Sequence, residues 1–261
     1  MTDWNRDPFF QVPLNLLPTS EGEVAMPILY HDNSNFLAMF WVDHPRAQAQ
    51  TDADGFEAVR FGNGKALAVV AFYEYRQTAI GPYNEVGVAI AAVPPGTALP
   101  RSPLRSLLRT PDRNPVGFDI IDLPVTTPAA CAAGREIWGY PKFVTPIRFS
   151  LGSGQFCGTV KDPAAQGPIV TLSGRMGLSV PAPLLDLVLF SRHRDQILRG
   201  SAITRGGGRL CLPGSVRLEV SDSAHRMANH LRELGLDGAR PFCVSHTHRL
   251  QLRLNAGAVV G

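Results

Sequence analysis

Lysine is scarce in this sequence, since only three of its 25 basic residues are lysines. The basic residues are scattered, with no run of five or six, and 22 acidic residues leave a net charge of only +3. A surface that binds nucleic acid or an anionic membrane usually carries a cluster of basic side chains. The sequence therefore predicts a protein with no nucleic-acid partner and no membrane partner.

The sequence also lacks paired cysteines and long hydrophobic runs. Its four cysteines form no Cys-x-x-Cys pair, which argues against a zinc site or a redox-active dithiol. No apolar run approaches the roughly 18 residues of a membrane-spanning helix, and the polar stretch 1–7 is unlike a signal peptide. His246 and His248 would share one face of a strand, but no third ligand accompanies them. We therefore expect a cytoplasmic protein with reduced thiols, no metal and no cofactor.

Proline and glycine are abundant, and the 22 prolines and 25 glycines leave little room for long helices. Short segments between them are rich in Val, Ile, Phe and Tyr, which is typical of strands. The predicted strands are Phe36–Val42, Lys65–Tyr75, Glu85–Val93, Phe118–Leu123, Phe143–Leu151, Gln155–Val160, Ile169–Gly174, Ser215–Val220 and His246–Leu254. This pattern favours a mainly β (α+β) protein, a barrel or sandwich of largely antiparallel strands. With no linker or repeat, residues 1–261 are predicted to form one domain.

Three segments are predicted to be helices: Pro103–Arg109, Pro181–Ile197 and Ser223–Leu236. The last is the clearest, because its apolar residues recur at helical spacing. Residues Ser221 to Ser223 are candidate N-caps, and Gly235 is a candidate C-terminal stop.

Lys142 is the most informative residue because it lies in an apolar segment, Ile137–Val144. An amine among aromatic and aliphatic side chains loses hydration, which favours its neutral form. A neutral amine is a nucleophile that can form a Schiff base with a carbonyl compound. The alternative is that the stem of Lys142 packs on Trp138 while its charged end stays in water.

Glu85 is the second candidate for chemistry. It follows a Gly-Pro turn, and strand alternation places it with Tyr83, Gly87 and Ala89 on one face. A carboxylate beside small residues suits the wall of a cavity, where it could orient an amine or transfer a proton. The alternative is an ordinary glutamate on the solvent side of a half-exposed strand.

Two motifs resemble the acetoacetate decarboxylase superfamily. Residues Ala133–Lys142 are similar to its active-site segment, in which Gly-Arg-Glu-Ile is followed by an aromatic residue, Pro and the Schiff-base lysine. Residues Gly81–Glu85 resemble its Gly-Pro-Tyr-x-Glu strand, whose acid lies in the same cavity. The resemblance implies a closed, cone-shaped antiparallel β-barrel with a few peripheral helices, in a homo-oligomer. It also implies that Lys142 and Glu85 are catalytic.

The sequence departs from that family at two positions. Phe143 follows Lys142, where the decarboxylases have a second lysine. The best register places Ser34 opposite the arginine that binds the substrate carboxylate, and no arginine lies between residues 24 and 43. We predict that Arg135 takes over this role. The other residues predicted to contact the substrate are Tyr83, Trp138, Tyr140 and Phe143.

The function implied by the resemblance is that of a Schiff-base lyase acting on a small or medium oxo acid or ketone. Decarboxylation of a β-keto acid is slightly favoured. One alternative is aldolase or dehydratase chemistry at a C–C bond, through the same lysine enamine. Another is a non-catalytic barrel that only binds a ligand.

Overall fold

The computed structural model describes residues 4–165 and 167–260, so residues 1–3, 166 and 261 of the predicted domain lie outside the described part. The strands are β1 (Asn15–Thr19), β2 (Gly22–Met26), β3 (Ile28–Val42), β4 (Glu57–Ala58), β5 (Ala66–Thr78), β6 (Tyr83–Val93), β7 (Gly117–Val125), β8 (Lys142–Val144), β9 (Ile147–Gly152), β10 (Gln155–Lys161), β11 (Pro168–Arg175), β12 (Ser179–Pro183), β13 (Leu187–His193), β14 (Gln196–Arg205), β15 (Gly207–Cys211), β16 (Arg217–Val220), β17 (Cys243–Leu254) and β18 (Ala258–Val260). The helices are α1 (His44–Thr51), α2 (Pro103–Ser106), α3 (Pro128–Ala133) and α4 (Arg226–Glu233). A π-helical turn, Gly134–Trp138, continues α3.

Seven strands close into a barrel in the order β17, β3, β5, β6, β7, β13 and β14, and β14 pairs with β17 to complete the ring. The ring is antiparallel except where β7 and β13 run parallel. Closure leaves no open edge in the ring. The predicted mainly β class, with a closed barrel and few helices in a single domain, is confirmed.

A second sheet packs on the outer face of the barrel. It consists of β9, β10, β11 and β16, and α4 packs beside it. Phe36 of β3 stacks on Phe156 of β10 with ring centroids 3.9 Å apart, and Phe72 meets the same ring edge-on. These side chains belong to the largest hydrophobic core of the protein. The outer face of the ring is therefore buried, which explains why β5 and β6 are apolar on both faces.

The inner face of the ring carries the second core. Its members come from β3, β5, β6, β7, β13 and β17, together with α3 and the π-helical turn. Val24 and Met26, from the β1–β2 hairpin, pack against the same cluster. The predicted alternation along β6 is confirmed, because Val86 and Val88 join the outer core while Tyr83 and Ala89 join the inner one.

The predicted helix Pro181–Ile197 is wrong. This segment forms the end of β12, all of β13 and the start of β14. Arg194 and Asp195 take positive φ angles of 48° and 63° and make the tight turn between β13 and β14. Both β13 and β14 belong to the closed ring, so long-range strand pairing decides the structure of this segment.

The predicted helix Ser223–Leu236 exists in a shorter form, as α4, and its N-cap differs from the prediction. The side chain of His225, rather than a serine, accepts the hydrogen bond from the backbone N–H of Met227. The predicted C-terminal stop is confirmed, because Gly235 follows the helix with a φ of 73°. Of the strands, Phe143–Leu151 is divided into β8 and β9 at Thr145 and Pro146.

A histidine on α4 anchors this helix to the barrel. His230 Nδ1 donates a hydrogen bond to Oδ2 of the fully buried Asp122 on β7, at 2.8 Å. This hydrogen bond raises the pKa of His230 above its usual value of about 6.5. The interaction therefore stabilises the fold fully below about pH 6.5, and its contribution declines as the pH rises through the higher pKa of the folded state.

We expect the difference in free energy of unfolding between the wild type and His230→Gln to be largest near pH 6 and to shrink towards pH 9. Glutamine keeps a hydrogen-bond donor but cannot acquire a charge, so only the pH-dependent part is removed. Urea unfolding at several pH values measures the difference. A constant difference over this range would contradict the assignment.

Candidate active site

Lys142 reaches the inner face of the barrel and meets Glu85 there. It begins β8, a short strand that runs parallel to β7 with Lys142 opposite Leu123. The Nζ atom donates a hydrogen bond to Oε2 of Glu85 at 2.6 Å, and the side chains are only 7% and 11% exposed. The alternatives of a solvent-exposed amine and a solvent-facing glutamate are both excluded by this geometry. The small residual exposure shows that space the size of a water molecule reaches both groups.

The π-helical turn determines where the lysine side chain can lie. Thr127 caps α3 by accepting a hydrogen bond from Ala130, and the turn Gly134–Trp138 then brings the chain back to β8. Gly139 ends the turn with a φ of 75°, a conformation that favours glycine. A Cβ atom on Gly134 would overlap Cδ and Cε of Lys142 and lie 3.1 Å from its Cγ. The first glycine of the motif therefore leaves room for the lysine stem.

We expect Gly134→Ala to displace the Lys142 side chain and to destabilise the protein by about 1–3 kcal/mol, as overpacking does. The backbone of Gly134 is helical, with a φ of −67°, so alanine would otherwise be stabilising. Thermal unfolding and the trapping assay described below measure the two effects. Gly62→Ala is the matched control, because no atom lies within 4 Å of its added Cβ. Unchanged trapping in Gly134→Ala would show that the lysine does not need this space.

All five tyrosines of the chain surround Glu85. Tyr75 donates a hydrogen bond from its hydroxyl to Oε1 of Glu85 at 3.3 Å, and the hydroxyls of Tyr30 and Tyr83 lie 2.8 Å apart. The Nζ atom of Lys142 lies 5.9 Å from the centre of the Tyr83 ring. Burial, with a smaller contribution from the charge of Glu85, raises the pKa of Tyr30, Tyr73, Tyr75, Tyr83 and Tyr140. The lysine and the glutamate thus face neutral hydroxyls and aromatic rings.

The sequence identified two of these tyrosines, Tyr83 and Tyr140, and missed the other three. Tyr73 and Tyr75 alternate along β5, and the register places them directly opposite Glu85 and Tyr83. Tyr30 joins them from β3. The only signal in the sequence was the composition, because a chain with only five tyrosines has two of them, Tyr73 and Tyr75, in one strand.

The other predicted contact residues lie at different distances from the pair. Trp138 is buried and stacks on Tyr140 with ring centroids 5.8 Å apart. Its Nε1 donates a hydrogen bond to the backbone carbonyl of Asn255. The hydroxyl of Tyr140 is buried and has no partner among the described residues. Phe143 turns to the opposite face of β8, where its ring lies 4.6 Å from that of His225. Trp138 therefore supports the inner wall, and Phe143 belongs to the outer side of β8.

Arg135 is exposed and lies in the π-helical turn that precedes Lys142. It lines a cleft of about 410 Å³ with Gly139, Tyr140, Pro141, Lys142, Phe143, His225 and Arg226. Glu85 does not line this cleft, whereas its partner Lys142 does. Arg226, which the sequence did not reveal, donates a hydrogen bond from Nη2 to the carbonyl of Pro141 at 2.8 Å. The cleft is thus basic where it adjoins Lys142.

Glu136, the acid of the same motif, holds the β1–β2 hairpin in place. Its carboxylate accepts two hydrogen bonds from Ser20, one from the backbone N–H at 2.9 Å and one from the side-chain hydroxyl at 2.5 Å. These bonds hold the pKa of Glu136 below its usual value. Val24 and Met26 of the hairpin pack on the hydrophobic cluster of the inner face. By holding the hairpin, Glu136 therefore keeps these two side chains against that cluster.

The remaining chemistry-bearing residues do not gather into a metal site. Within residues 4–165 and 167–260, no group of three or more His, Cys, Asp or Glu side chains is arranged to bind a metal. The four cysteines are free. No helix in the same part of the chain has the length and apolar character that crossing a membrane requires.

The sequence matches the family model described as acetoacetate decarboxylase over residues 12–229. No curated protein matches it. Among solved structures, acetoacetate decarboxylase from Legionella pneumophila subsp. pneumophila str. Philadelphia 1 has a TM-score of 0.66 at 19% identity, covering 98% of this chain and 95% of that one.

Two further structures resemble this chain. An acetoacetate decarboxylase-like enzyme from Sphingomonas wittichii RW1 has a TM-score of 0.62 at 13% identity, covering 91% of this chain and 94% of that one. The enduracididine biosynthesis enzyme MppR, complexed with pyruvate, has a TM-score of 0.60 at 15% identity, covering 93% and 95%. At such identities the solved structures show a shared fold, whereas the family match covers most of the sequence. The chain therefore belongs to the acetoacetate decarboxylase family.

Proposed function

We propose that this chain is a lysine Schiff-base lyase that acts on a small or medium oxo acid or ketone. The observation that carries the proposal is the 2.6 Å contact between Lys142 and Glu85 inside a tyrosine-lined barrel. An amine in such a position is shielded from water, and a carboxylate at hydrogen-bond distance can take up its proton. Family membership supports an enzyme, and the reaction is our inference from the geometry.

The first steps need only these two residues. Transfer of one proton from Lys142 to Glu85 leaves a neutral amine beside a carboxylic acid. The nitrogen lone pair attacks the substrate carbonyl carbon, and the product is a carbinolamine. Glu85 returns the proton to the departing oxygen, which leaves as water, and the iminium ion forms. The tyrosine rings limit the access of bulk water to this intermediate.

The iminium ion then accepts an electron pair from a neighbouring bond. In a β-keto acid the bond to the carboxylate breaks, carbon dioxide leaves, and its electrons form an enamine. Glu85, ionised after water has left, takes up one proton from solvent and transfers it to the enamine carbon. Water then adds to the new iminium ion, and its collapse releases the ketone and Lys142. We assign the substrate carboxylate to the basic cleft at Arg135 and Arg226, which would attract an anion towards Lys142.

Aldolase-type chemistry is the second candidate. It uses the same enamine, which attacks an aldehyde carbon instead of a proton. Two observations favour it: Phe143 replaces the second lysine of the decarboxylases, and MppR has been solved with the condensation product of pyruvate and imidazole 4-carboxaldehyde. The tyrosine rings of the inner face would offer aromatic contacts to a second substrate of that kind.

Reductive trapping tests the common step. The protein is incubated with pyruvate or acetoacetate and cyanoborohydride, and the mass and position of any adduct are determined by peptide mapping. We expect one adduct, on Lys142. Product analysis without reductant then separates release of carbon dioxide from condensation with an added aldehyde. If no oxo acid gives an adduct, the barrel is a binding protein and the proposal is wrong.

The predicted homo-oligomer stays a prediction.

A further inference from the structure

Two asparagines of β3 lie on the inner face, in line with the catalytic pair. The register joins Thr247, Asn35, Tyr73 and Glu85 across β17, β3, β5 and β6, and it joins Leu250, Asn33, Tyr75 and Tyr83 in the next row. Residues directly opposite each other in antiparallel strands project to the same side. Both asparagines therefore lie on the face that carries Glu85. Ser34, between them, is on the outer face and accepts a hydrogen bond from Arg76.

Each of these asparagines has a carboxamide oxygen without a partner. Asn33 is fully buried, and its Nδ2 donates to the carbonyl of Leu250 at 2.9 Å, which fixes the orientation of the amide. Its Oδ1 accepts no hydrogen bond from the described residues. Asn35 is 6% exposed, and its Oδ1 is likewise buried and unpaired. Native proteins leave few buried acceptors unsatisfied, so two in adjacent rows indicate that something else satisfies them.

The chemistry of the missing partner follows from the atoms that lack one. Both are acceptors, so the partner must be a hydrogen-bond donor. A carboxylate is only an acceptor and cannot pair with them, and neither row contains a cation to neutralise it. A hydroxyl group can donate to one oxygen and still fits an inner wall made of neutral tyrosines. The distance also suits a substrate tail, because Asn35 is two strands from Glu85, or roughly 10 Å at the usual strand spacing.

We infer that Asn33 and Asn35 form a subsite that selects carbonyl substrates with a hydroxyl group on the tail remote from the carbonyl. This inference rests on the proposed function, because it takes the carbonyl to be held at Lys142. Where the acetoacetate decarboxylases are expected to carry an arginine, this strand thus has two neutral acceptors. The carbonyl compound is held at its far end by hydrogen bonds rather than by charge. The carboxylate lost in decarboxylation lies on the other side of the carbonyl, so the subsite does not affect its loss.

The test uses six methyl ketones in two series. The shorter series is 5-hydroxypentan-2-one, hexan-2-one and 5-oxohexanoate, and the longer is 7-hydroxyheptan-2-one, octan-2-one and 7-oxooctanoate. Within a series only the terminal group differs: hydroxyl, methyl or carboxylate. The concentration that gives half-maximal trapping on Lys142 by cyanoborohydride is measured for each. From the strength of one neutral hydrogen bond, we expect the half-maximal concentration of the hydroxyketone to be about five- to tenfold lower than that of its methyl counterpart in at least one series.

Variants assign the preference to the two side chains. Asn35→Leu and Asn33→Leu should each reduce the ratio between methyl and hydroxyl ketones towards one, while Asn229→Leu, on the exposed face of α4, should leave it unchanged. The wild-type ratio does not depend on the folding of any variant. Equal trapping of hydroxyl and methyl ketones in both series, or tighter trapping of the carboxylates, would overturn the subsite and leave the Schiff base intact. If none of the six is trapped, and pyruvate and acetoacetate also fail, the proposed function falls and the subsite with it.

Discussion

Lys142→Arg should give no reduced adduct with any oxo acid and no turnover, while the protein remains folded. A guanidinium group stays protonated at all accessible pH values, so it offers no lone pair to a carbonyl carbon. It can still donate hydrogen bonds to Glu85, and the buried charge keeps its partner. Removing one member of a buried pair commonly costs about 3–5 kcal/mol, and arginine avoids that loss. Lys142→Arg therefore tests the loss of activity without a large loss of stability.

The shortage of lysine makes a rigorous control possible. Lys65 and Lys161 are the only other lysines in the chain, and Lys65 is half-exposed and paired with Asp43. The double variant Lys65→Arg, Lys161→Arg keeps the net charge and leaves Lys142 as the sole lysine. We expect it to be trapped like the wild type, with the adduct mapped to Lys142 rather than to the N-terminal amine. Retained turnover in Lys142→Arg would refute the mechanism.

Much of the barrel follows from the sequence because its strands are separated by Gly and Pro and rich in β-branched and aromatic residues. Phe36–Val42 and Lys65–Tyr75 were found because their apolar runs stand out, although β3 begins earlier, at Ile28. The start of β3 was missed because it contains His31, Asp32 and two asparagines, and such a polar stretch lacks the apolar signal of a strand. Closure of the ring could not be derived from local patterns, since it depends on the pairing of β14 with β17.

The candidate site was likewise predictable in part: two of its residues stand out in the sequence, but their contacts do not. Lys142 and Glu85 are conspicuous, the first as a lysine in an apolar frame and the second as an acid on a strand of small residues. Their contact at 2.6 Å joins residues 57 positions apart, and no spacing rule predicts it. Arg226 is harder still, because it comes from a helix whose position depends on the packing of the second sheet. Arg135 was predicted to bind the substrate carboxylate. The structure places it in the exposed cleft that Lys142 also lines, and its role stays a prediction.

Glu85→Gln should lower the rate of proton transfer at the substrate α-carbon by roughly 10²–10⁴-fold, the usual loss when a general acid–base group is removed. Glutamine has almost the same size, and its oxygen can still accept the hydrogen bond from Tyr75. What disappears is the proton carrier and the negative charge beside Lys142. Without that charge nothing nearby favours an ammonium ion, so the amine remains able to attack a carbonyl.

Two measurements distinguish this role from a structural one. Exchange of the α-protons of a bound ketone for deuterium, followed by NMR, reports on enamine formation and should be slowed in Glu85→Gln. Trapping by cyanoborohydride reports on the iminium ion, which forms more slowly when water must supply the proton in place of Glu85. The adduct should therefore still accumulate on longer incubation. Glu85→Asp keeps the charge but shortens the reach by one methylene, so its exchange rate should lie between the two, and Glu219→Gln on the exposed side of β16 should match the wild type. Equal exchange rates in Glu85→Gln and the wild type would assign the proton to another group, such as the hydroxyl of Tyr75, which lies 3.3 Å from Oε1 of Glu85.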